Sequence, residues 1–129
     1  MEIRPYDPAS DEGPLMALIA AEEGWTYADE DQAAVYRRSL AKSITYVAAE
    51  GDVLCGYSRS LEDFGLYVYV CDLLVAPAYR GRNLGRRLME CIYEAYPRHT
   101  VYVMSDEDGY YQKQAYARVG SVFQVPDTR

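Results

Sequence analysis

The stretch 80–87 combines four arginines with two glycines, in the order Arg-Gly-Arg-Asn-Leu-Gly-Arg-Arg. It follows a β-branched and aromatic run at 67–75 that predicts a buried strand, and apolar residues at Leu84, Leu88 and Ile92 predict a helix after it. The first turn of a helix leaves its N–H groups unpaired and carries partial positive charge, and glycine lets a ligand approach the main chain. The turn is therefore predicted to bind an anion, and a phosphate or pyrophosphate suits it best.

The rest of the chain predicts the elements that would position this turn. Strands are predicted at residues 2–6, 43–50, 53–61, 66–75, 100–104 and 121–125. Helices are predicted from Ser10 or Asp11, from Asp29, across 83–95 and from Ser105. Three hairpin-linked strands form an antiparallel meander, and the strand–helix–strand unit after them predicts parallel strands. The order is β-α-α-β-β-β-α-β-α-β, in one domain over residues 1–129.

Composition excludes several classes of function. The formal net charge is −7, whereas nucleic-acid binding needs a basic footprint, so no nucleic-acid partner is expected. No apolar run approaches the roughly 20 residues that cross a bilayer, and the N-terminus has no secretory pattern, so a cytoplasmic protein without a membrane partner is expected. Cys55, Cys71 and Cys91 are scattered, and with the single His99 they predict no metal site.

The anion-binding turn resembles the acetyl-CoA motif of the GCN5-related N-acetyltransferase (GNAT) superfamily, Arg/Gln-x-x-Gly-x-Gly/Ala. Arg80 and Gly85 match its first and last positions, while Asn83 replaces the middle glycine. The resemblance implies an α/β (α+β) fold with a mixed central sheet of six to seven strands flanked by four helices. It implies acetyl-CoA as the acyl donor and no metal. The cofactor-binding residues it implies are Leu74, Val75, Arg80, Gly81, Arg82, Asn83, Leu84, Gly85 and Arg86.

A second motif lies about 25 residues further on, at 110–116. Its sequence Tyr-Tyr-Gln-Lys-Gln-Ala-Tyr resembles the family signature Phe-Tyr-x-Lys-x-Gly-Phe. The match places Tyr111 on the family's tyrosine, which in many members protonates the leaving thiolate, and Ala115 on its glycine. A tyrosine hydroxyl with a pKa near 10 stays protonated at neutral pH and can serve as this acid.

Transfer to an amine also requires that the amine lose a proton, and Asp72 is the first candidate for the base. It is the only acidic residue within the apolar strand before the turn, and a buried carboxylate is costly unless it is functional or paired. The alternative is that Asp72 faces solvent or pairs with a local arginine. Asp63 and Glu62, in the preceding turn, are further candidates for the base.

The acceptor pocket of the family is lined by the first two helices and their loop. By resemblance, Trp25 and Tyr27 are candidate substrate contacts, and an ordinary hydrophobic anchor is the alternative for both. The acidic chain favours a cationic small-molecule or peptide amine, although solubility alone also explains its charge. The chain lacks the family's usual seventh strand, so either the sheet has six strands or a second subunit, as in a homodimer, covers its edge.

These motifs predict an acetyl-CoA-dependent N-acetyltransferase in which a primary amine attacks the thioester directly. No histidine lies near any of the three cysteines in the sequence, so nothing favours an acetyl-cysteine intermediate. The alternative is a non-catalytic module of the same fold that binds acyl-CoA without turnover. A phosphate- or nucleic-acid-binding protein that uses residues 80–87 is a third reading, and it predicts salt-sensitive binding to polynucleotides.

Overall fold

The computed structural model describes residues 1–129, which form one mixed five-stranded sheet with helices on both faces. The strands are β1 (Glu2–Pro5), β2 (Ile44–Glu50), β3 (Val53–Glu62), β4 (Tyr67–Val75) and β5 (Thr100–Val103). The helices are α1 (Pro8–Ala20), α2 (Ala33–Lys42), α3 (Leu84–Glu90), α4 (Ile92–Ala95) and α5 (Asp108–Lys113). Because α3 and α4 follow one another across Cys91, four helical segments surround the sheet.

The strand order is β1-β2-β3-β4-β5, and the first four strands are antiparallel neighbours. The predicted meander is thereby confirmed. β4 and β5 are parallel, from Tyr67 opposite Thr100 to Val70 opposite Val103, as the intervening helix predicted. The longest helix, α1, has 13 residues, and no helix has both the length and the hydropathy of a membrane span.

The predicted count of six to seven strands is wrong, because residues 121–125 form no strand. Their side chains are exposed, and the chain from Gln114 onward has no regular secondary structure. The composition of this segment suits a strand, but a strand also needs an edge to pair with, and β5 is not paired with it. The second helix also starts later than predicted: residues 29–32 form turns, and α2 begins at Ala33.

A buried ion pair fastens the start of the chain. Asp11 is 2% exposed and accepts two hydrogen bonds from the Arg4 guanidinium, at 2.6 and 2.9 Å, and one from the Asp7 N–H at 2.8 Å. The hydrogen bond from Arg4 holds the pKa of Asp11 below its usual range against the opposing effect of burial. Asp7, rather than the predicted Ser10 or Asp11, is the N-cap of α1.

The core lies in layers on the two faces of the sheet. One cluster packs α1 and α2 against β2, β3 and the end of β4, with Leu15, Ile19, Leu40 and Val47 fully buried. A second cluster packs α3, α4 and α5 against the start of β4, through Met89, Ile92 and Tyr111. The sheet thus separates a side covered by α1 and α2 from a side covered by α3 to α5.

Candidate active site

A bulge in β4 changes which face its side chains occupy. Arg59 lies opposite Asp72, but the next residue of β3, Ser60, lies opposite Val70, so Cys71 is the extra residue. Before the bulge, Val70 packs on the α3 side, and after it Leu74 packs on the α1–α2 side. The bulge therefore turns Asp72 toward α1 and α2, whereas strict alternation would place it beside Val70.

The same bulge exposes main-chain groups between β4 and β5. The last hydrogen bond between these strands runs from the Met104 N–H to the Val70 carbonyl, at 3.1 Å. Beyond it β4 pairs only with β3. The Ala76 N–H donates to the Cys55 carbonyl, so the main-chain groups of every second residue of β4 point to β3 and those of the residues between them point away from it. Leu73 and Val75 therefore direct their N–H and C=O groups into the gap that opens between β4 and β5 beyond Val70. Leu74, which we predicted for this role, is directed at β3 instead.

The turn after β4 presents a run of unpaired main-chain donors. None of the six N–H groups from Gly81 to Arg86 donates a hydrogen bond within the protein, and the first helical bond runs from Arg87 to Asn83. Gly81 and Asn83 have φ angles of 82° and 60°, so left-handed residues alternate along the turn. Such alternation gathers N–H groups into a concave anion site. Asn83 thus adopts the backbone conformation that glycine favours at the motif's middle position.

The four arginines of the turn differ in their partners. Arg80 donates to the Val75 carbonyl at 2.9 Å and pairs with Glu22 at 3.0 Å, so its side chain fastens the turn to β4 and to the end of α1. Arg86 pairs with Glu90 at 2.7 Å. Arg82 and Arg87 have no carboxylate partner. They are the two side chains free to pair with phosphate.

Gly85 is needed for close packing at the start of α3. A Cβ at this position would overlap the Tyr110 hydroxyl and contact a Leu73 methyl carbon at 3.4 Å. Tyr110 therefore lies over the first turn of α3, next to Leu73, although no role was predicted for it. Leu84, the first residue of α3, is buried against the sheet and carries no polar side chain for a ligand.

Tyr111 lies on the α3 side of the sheet, packed among Val68, Val70, Met89 and Ile92. Its hydroxyl has no protein hydrogen-bond partner, and its ring borders a cavity of about 1160 Å³ that reaches Val70 and Cys71 at the bulge. Burial raises the pKa of Tyr111 to about 12, so the phenol is protonated at neutral pH. The hydroxyl therefore carries a proton that no protein group engages.

Ala115 occupies a glycine-like position at the end of α5. Its φ is 61°, in the left-handed region that non-glycine residues rarely adopt. The family signature has glycine at this place. The backbone thus keeps the conformation that the second motif requires, although the residue differs.

Asp72 is 7% exposed and forms the centre of a polar network on the α1–α2 side. Its Oδ2 accepts from Arg59 Nε at 2.6 Å and from the Tyr36 hydroxyl at 2.8 Å, and its Oδ1 accepts from the Tyr27 hydroxyl at 3.0 Å. Tyr36 and Tyr57 share a further hydrogen bond of 2.6 Å. Burial alone would lower the pKa of Arg59, but the hydrogen bond and charge of Asp72 outweigh it and raise that pKa.

This network realises the alternative in which Asp72 pairs with a local arginine, and it limits how Asp72 can act as a base. Each carboxylate oxygen has two lone pairs, and Oδ2 uses both for Arg59 and Tyr36. Oδ1 accepts only from Tyr27 and keeps one lone pair. An amine or a water molecule can therefore reach Asp72 only through Oδ1.

The alternative bases have other partners at the far end of the β3–β4 hairpin. Glu62 lies 2.8 Å from the His99 Nε2. Asp63 accepts main-chain N–H bonds from Leu66 at 2.9 Å and Tyr67 at 2.8 Å, so it closes the turn. These contacts give both carboxylates structural roles in the hairpin.

Trp25 and Tyr27 lie together beside Asp72. The Tyr27 ring stacks on Tyr36, with centroids 4.1 Å apart and planes 8° from parallel, and Trp25 meets Tyr27 and Tyr57 edge-on. Both residues are half-buried and pack against the core below α1 and α2. A smaller cavity of about 260 Å³ borders Tyr27 and Tyr36, with the Asp31 carboxylate in its wall. The aromatic wall can hold an apolar body next to a carboxylate.

Sequence reasoning missed Arg59, Tyr36 and Tyr57. The Arg59 signal was present, because an arginine in a strand next to the strand that holds a buried acid suggests a pair. The tyrosines carried no comparable signal among the 14 of this chain. No group of three or more His, Cys, Asp or Glu side chains is arranged to hold a metal ion.

Comparisons with known proteins agree on the fold. A GNAT-family acetyltransferase from Streptococcus pneumoniae superposes with a TM-score of 0.74 at 22% identity, over 98% of each chain. An aminoglycoside acetyltransferase from an uncultured soil metagenomic sample gives 0.75 at 23% identity, also over 98% of each chain. The CoA complex of the aminoglycoside N-acetyltransferase AAC(6')-Iy gives 0.76 at 13% identity, over 99% of this chain and 95% of that one.

A search of curated protein sequences finds no match. The family model for the acetyltransferase (GNAT) family does match, over residues 14–120, which include both motifs and the strands between them. The match begins within α1 and extends past α5 into the tail. The chain therefore belongs to the GNAT acetyltransferase family.

Proposed function

We propose that this chain transfers an acetyl group from acetyl-CoA to a primary amine by direct attack of the amine on the thioester. One observation carries the proposal: six unpartnered main-chain N–H groups lie on a turn at the end of a strand that has just parted from its neighbour. The turn suits a pyrophosphate, and the gap suits an extended chain with amide groups. CoA combines a pyrophosphate with such a chain.

The main-chain groups of the gap have distinct roles in this proposal. The Leu73 N–H and C=O and the Val75 N–H face the pantetheine amides and the thioester, and one of the two N–H groups polarises the thioester carbonyl. The Val75 carbonyl is already used by Arg80. A donor fixed on a strand stabilises the developing negative charge without reorganisation, which is the usual advantage of an oxyanion site.

Proton transfers divide between the two faces of the sheet. Tyr111, on the α3 side, gives its proton to the leaving thiolate. Asp72, on the α1–α2 side, receives the amine proton through Oδ1, directly or through water. The three donors hold this carboxylate in place, and its Oδ1 lies where an incoming ammonium group can approach. The amine approaches from the side of Trp25 and Tyr27.

The cysteines support direct attack rather than an acetyl-enzyme intermediate. Burial raises the pKa of Cys91 to about 11 and also raises the pKa of Cys71. The thiolate is the nucleophile, so a raised pKa leaves little reactive sulfur at neutral pH. Cys55 is fully buried.

Cationic acceptors are the first class to test. The net charge of −7, the Asp31 and Asp72 carboxylates and the aromatic wall favour an ammonium group attached to an apolar or sugar-like body. Two similar structures are named as aminoglycoside acetyltransferases, so aminoglycosides belong in the panel beside polyamines and peptide N-termini.

Initial rates measured while both substrates are varied test the proposal. Direct attack requires both substrates on the protein together and predicts reciprocal plots that intersect. Parallel plots would indicate an acetyl-enzyme intermediate and would contradict direct attack. Acetyl-CoA binding without CoA release in the presence of any amine would favour the alternative, a non-catalytic module.

A further inference from the structure

Part of the α1–α2 face of the sheet has no helix over it. The core cluster beneath α1 and α2 contains no residue of β5, and Leu74 is its only residue from β4. Leu61 on β3 and Tyr69 on β4 lie opposite one another outside this cluster, and they are 50% and 44% exposed. The face is therefore open to solvent between the β4 bulge and the β3–β4 turn.

Leu61, Tyr69 and Tyr102 form a cross-strand row on this open surface. Because side chains alternate along a strand, Tyr69 points away from Val70, which packs on the α3 side. Tyr102 lies opposite Tyr69 on β5, and the two ring centroids are 5.7 Å apart. Tyrosine rings bind a cation over their faces, and they also pack against the methylene groups that carry the cation. The row therefore suits the body of a cationic ligand.

A carboxylate with a free oxygen or lone pair lies at each end of this stretch. At one end, Asp72 keeps one lone pair on Oδ1. At the other end, the Asp63 Oδ1 accepts from the N–H groups of Leu66 and Tyr67, and its Oδ2 has no partner within the protein. Arg59 lies opposite Asp72 and four residues before Asp63, so the two carboxylates are about 14 Å apart along the sheet. The cross-strand row lies midway between them.

The charges at both ends favour a cation. Arg59 is already paired with Asp72, and Asp63 forms no ion pair. Desolvation raises the pKa of Tyr69, and the negative charge of Asp63 raises it further, so the field of this carboxylate reaches the cross-strand row. An unpaired carboxylate beside tyrosine rings is a combination that attracts an ammonium group.

We propose that the acceptor is an extended linear polyamine with two ammonium groups about 14 Å apart. This inference rests on the proposed function and specifies its substrate. The reacting amine lies at Asp72 beside the gap, the chain crosses Tyr69 and Tyr102, and the second ammonium group pairs with the Asp63 Oδ2. A compact amine reaches only one of the two carboxylates and gains nothing from the other.

Two pairs of acceptors that differ in one terminal group test this proposal. Diaminodecane is long enough to span the two carboxylates, and aminodecanol replaces one of its ammonium groups by a hydroxyl. Diaminobutane and aminobutanol are the corresponding short pair. We expect kcat/KM to be at least about fivefold higher for diaminodecane than for aminodecanol, because the second ammonium group gains an ion pair and a contact with tyrosine. The short pair should differ by less than about twofold, since neither member reaches Asp63.

Asp63→Asn removes the charge and keeps an oxygen that can accept from the two N–H groups of the turn. In this variant kcat/KM for diaminodecane should fall to the value for aminodecanol, while kcat/KM for aminodecanol stays unchanged. Asp52→Asn is the matched control, because it removes one exposed negative charge at the β2–β3 turn, at the opposite end of β3. It should keep the full advantage of the long diamine.

Equal kcat/KM for diaminodecane and aminodecanol in the unmodified chain would overturn this proposal and leave amine acetylation standing. An equally large advantage for the short diamine would also overturn it, and so would an Asp63→Asn variant that keeps the advantage of the long one. A chain that acetylates none of these amines, nor any other, would contradict the proposed function itself and this proposal with it.

Discussion

At the scale of single residues, the two proposed proton-transfer groups are held in opposite ways. Tyr111 has a free hydroxyl in an apolar wall, while Asp72 is bonded to Arg59, Tyr36 and Tyr27. A proton donor needs a hydroxyl that is not already bonded within the protein, and Tyr111 has one. A base needs a free lone pair, and Asp72 has one on Oδ1.

Replacing Tyr111 by phenylalanine removes the proposed acid and little else, because no protein group bonds to its hydroxyl. We expect kcat to fall about 100-fold with little change in acetyl-CoA affinity, since general acid catalysis contributes on this scale. Stopped assays of CoA release and calorimetric titration with acetyl-CoA measure the two quantities. Tyr67→Phe is the control, because the hydroxyl of Tyr67, in β4, also has no protein hydrogen-bond partner. Unchanged kcat would remove Tyr111 from the mechanism.

The raised pKa of Tyr111 also predicts how kcat depends on pH. A pKa of about 12 means that the hydroxyl keeps its proton from neutral pH to beyond the ordinary tyrosine value of about 10. Tyr111 should therefore cause no loss of kcat across that range, and loss begins only as the pH approaches 12. A decline near the ordinary value that disappears in Tyr111→Phe would contradict the burial of this group.

Replacing Asp72 by asparagine tests the proposed base. We expect kcat to fall about 100-fold, because the amide cannot take up the amine proton. Tyr27→Phe is the matched comparison: it removes only the hydroxyl that bonds Oδ1 and keeps the ring that stacks on Tyr36, so kcat should be largely kept. Urea denaturation shows whether each variant is folded. Equal kcat in Asp72→Asn and the unmodified chain would leave Asp72 a purely structural role beside Arg59.

At the scale of elements, local patterns predicted the meander, the parallel β5 and the turn at 80–87, because each depends on neighbours in sequence. The bulge at Cys71 depends on pairing with β3, so the family resemblance, which implied Leu74, did not show that the main chain of Leu73 faces the gap. The network around Asp72 joins residues up to 45 positions apart, which no local pattern reveals. The predicted last strand failed for a related reason: residues 121–125 have strand chemistry but no partner within the chain.

The turn at 80–87 can be tested through Gly85. Any side chain there must displace the Tyr110 hydroxyl, so Gly85→Ala measures the steric effect alone. Gly85→Asp adds a negative charge beside the unpaired N–H groups and should repel a phosphate. We expect the acetyl-CoA dissociation constant to rise at least about tenfold more in Gly85→Asp than in Gly85→Ala, as each 1.4 kcal/mol changes affinity tenfold. Equal acetyl-CoA dissociation constants in the two variants would contradict the proposal that this turn binds phosphate.

The strained backbone of Ala115, just after α5, leads to a prediction about the free energy of unfolding. Ala115 has a φ of 61°, which costs a residue with a Cβ about 1 kcal/mol. Ala115→Gly relieves this strain but makes the unfolded chain more flexible, so we expect a net gain of up to about 1 kcal/mol in the free energy of unfolding. Ala117→Gly, two residues away, should give no gain. Urea denaturation measures both, and a loss of stability in Ala115→Gly would contradict the strained backbone.

At the scale of the whole molecule, the proposed donor and acceptor sites lie on opposite faces of the sheet, on either side of the gap between β4 and β5. The turn at 80–87 and Tyr111 belong to the α3 side, and Asp72, Trp25 and Tyr27 belong to the α1–α2 side. The chain is acidic, with a net charge of −7, yet it concentrates four arginines in eight residues. This asymmetry suits a protein that binds an anionic donor at one place and a cationic acceptor elsewhere.

Acetylation of an amine by the purified chain is the most direct test of this account. The chain is incubated with acetyl-CoA and one cationic amine at a time, and mass spectrometry follows the amine, free CoA and the intact protein. We predict that at least one amine gains an acetyl group on nitrogen, with one CoA released per product and no acetyl group on the protein. Acetyl-CoA that binds but is never consumed, whichever amine is present, would contradict the account.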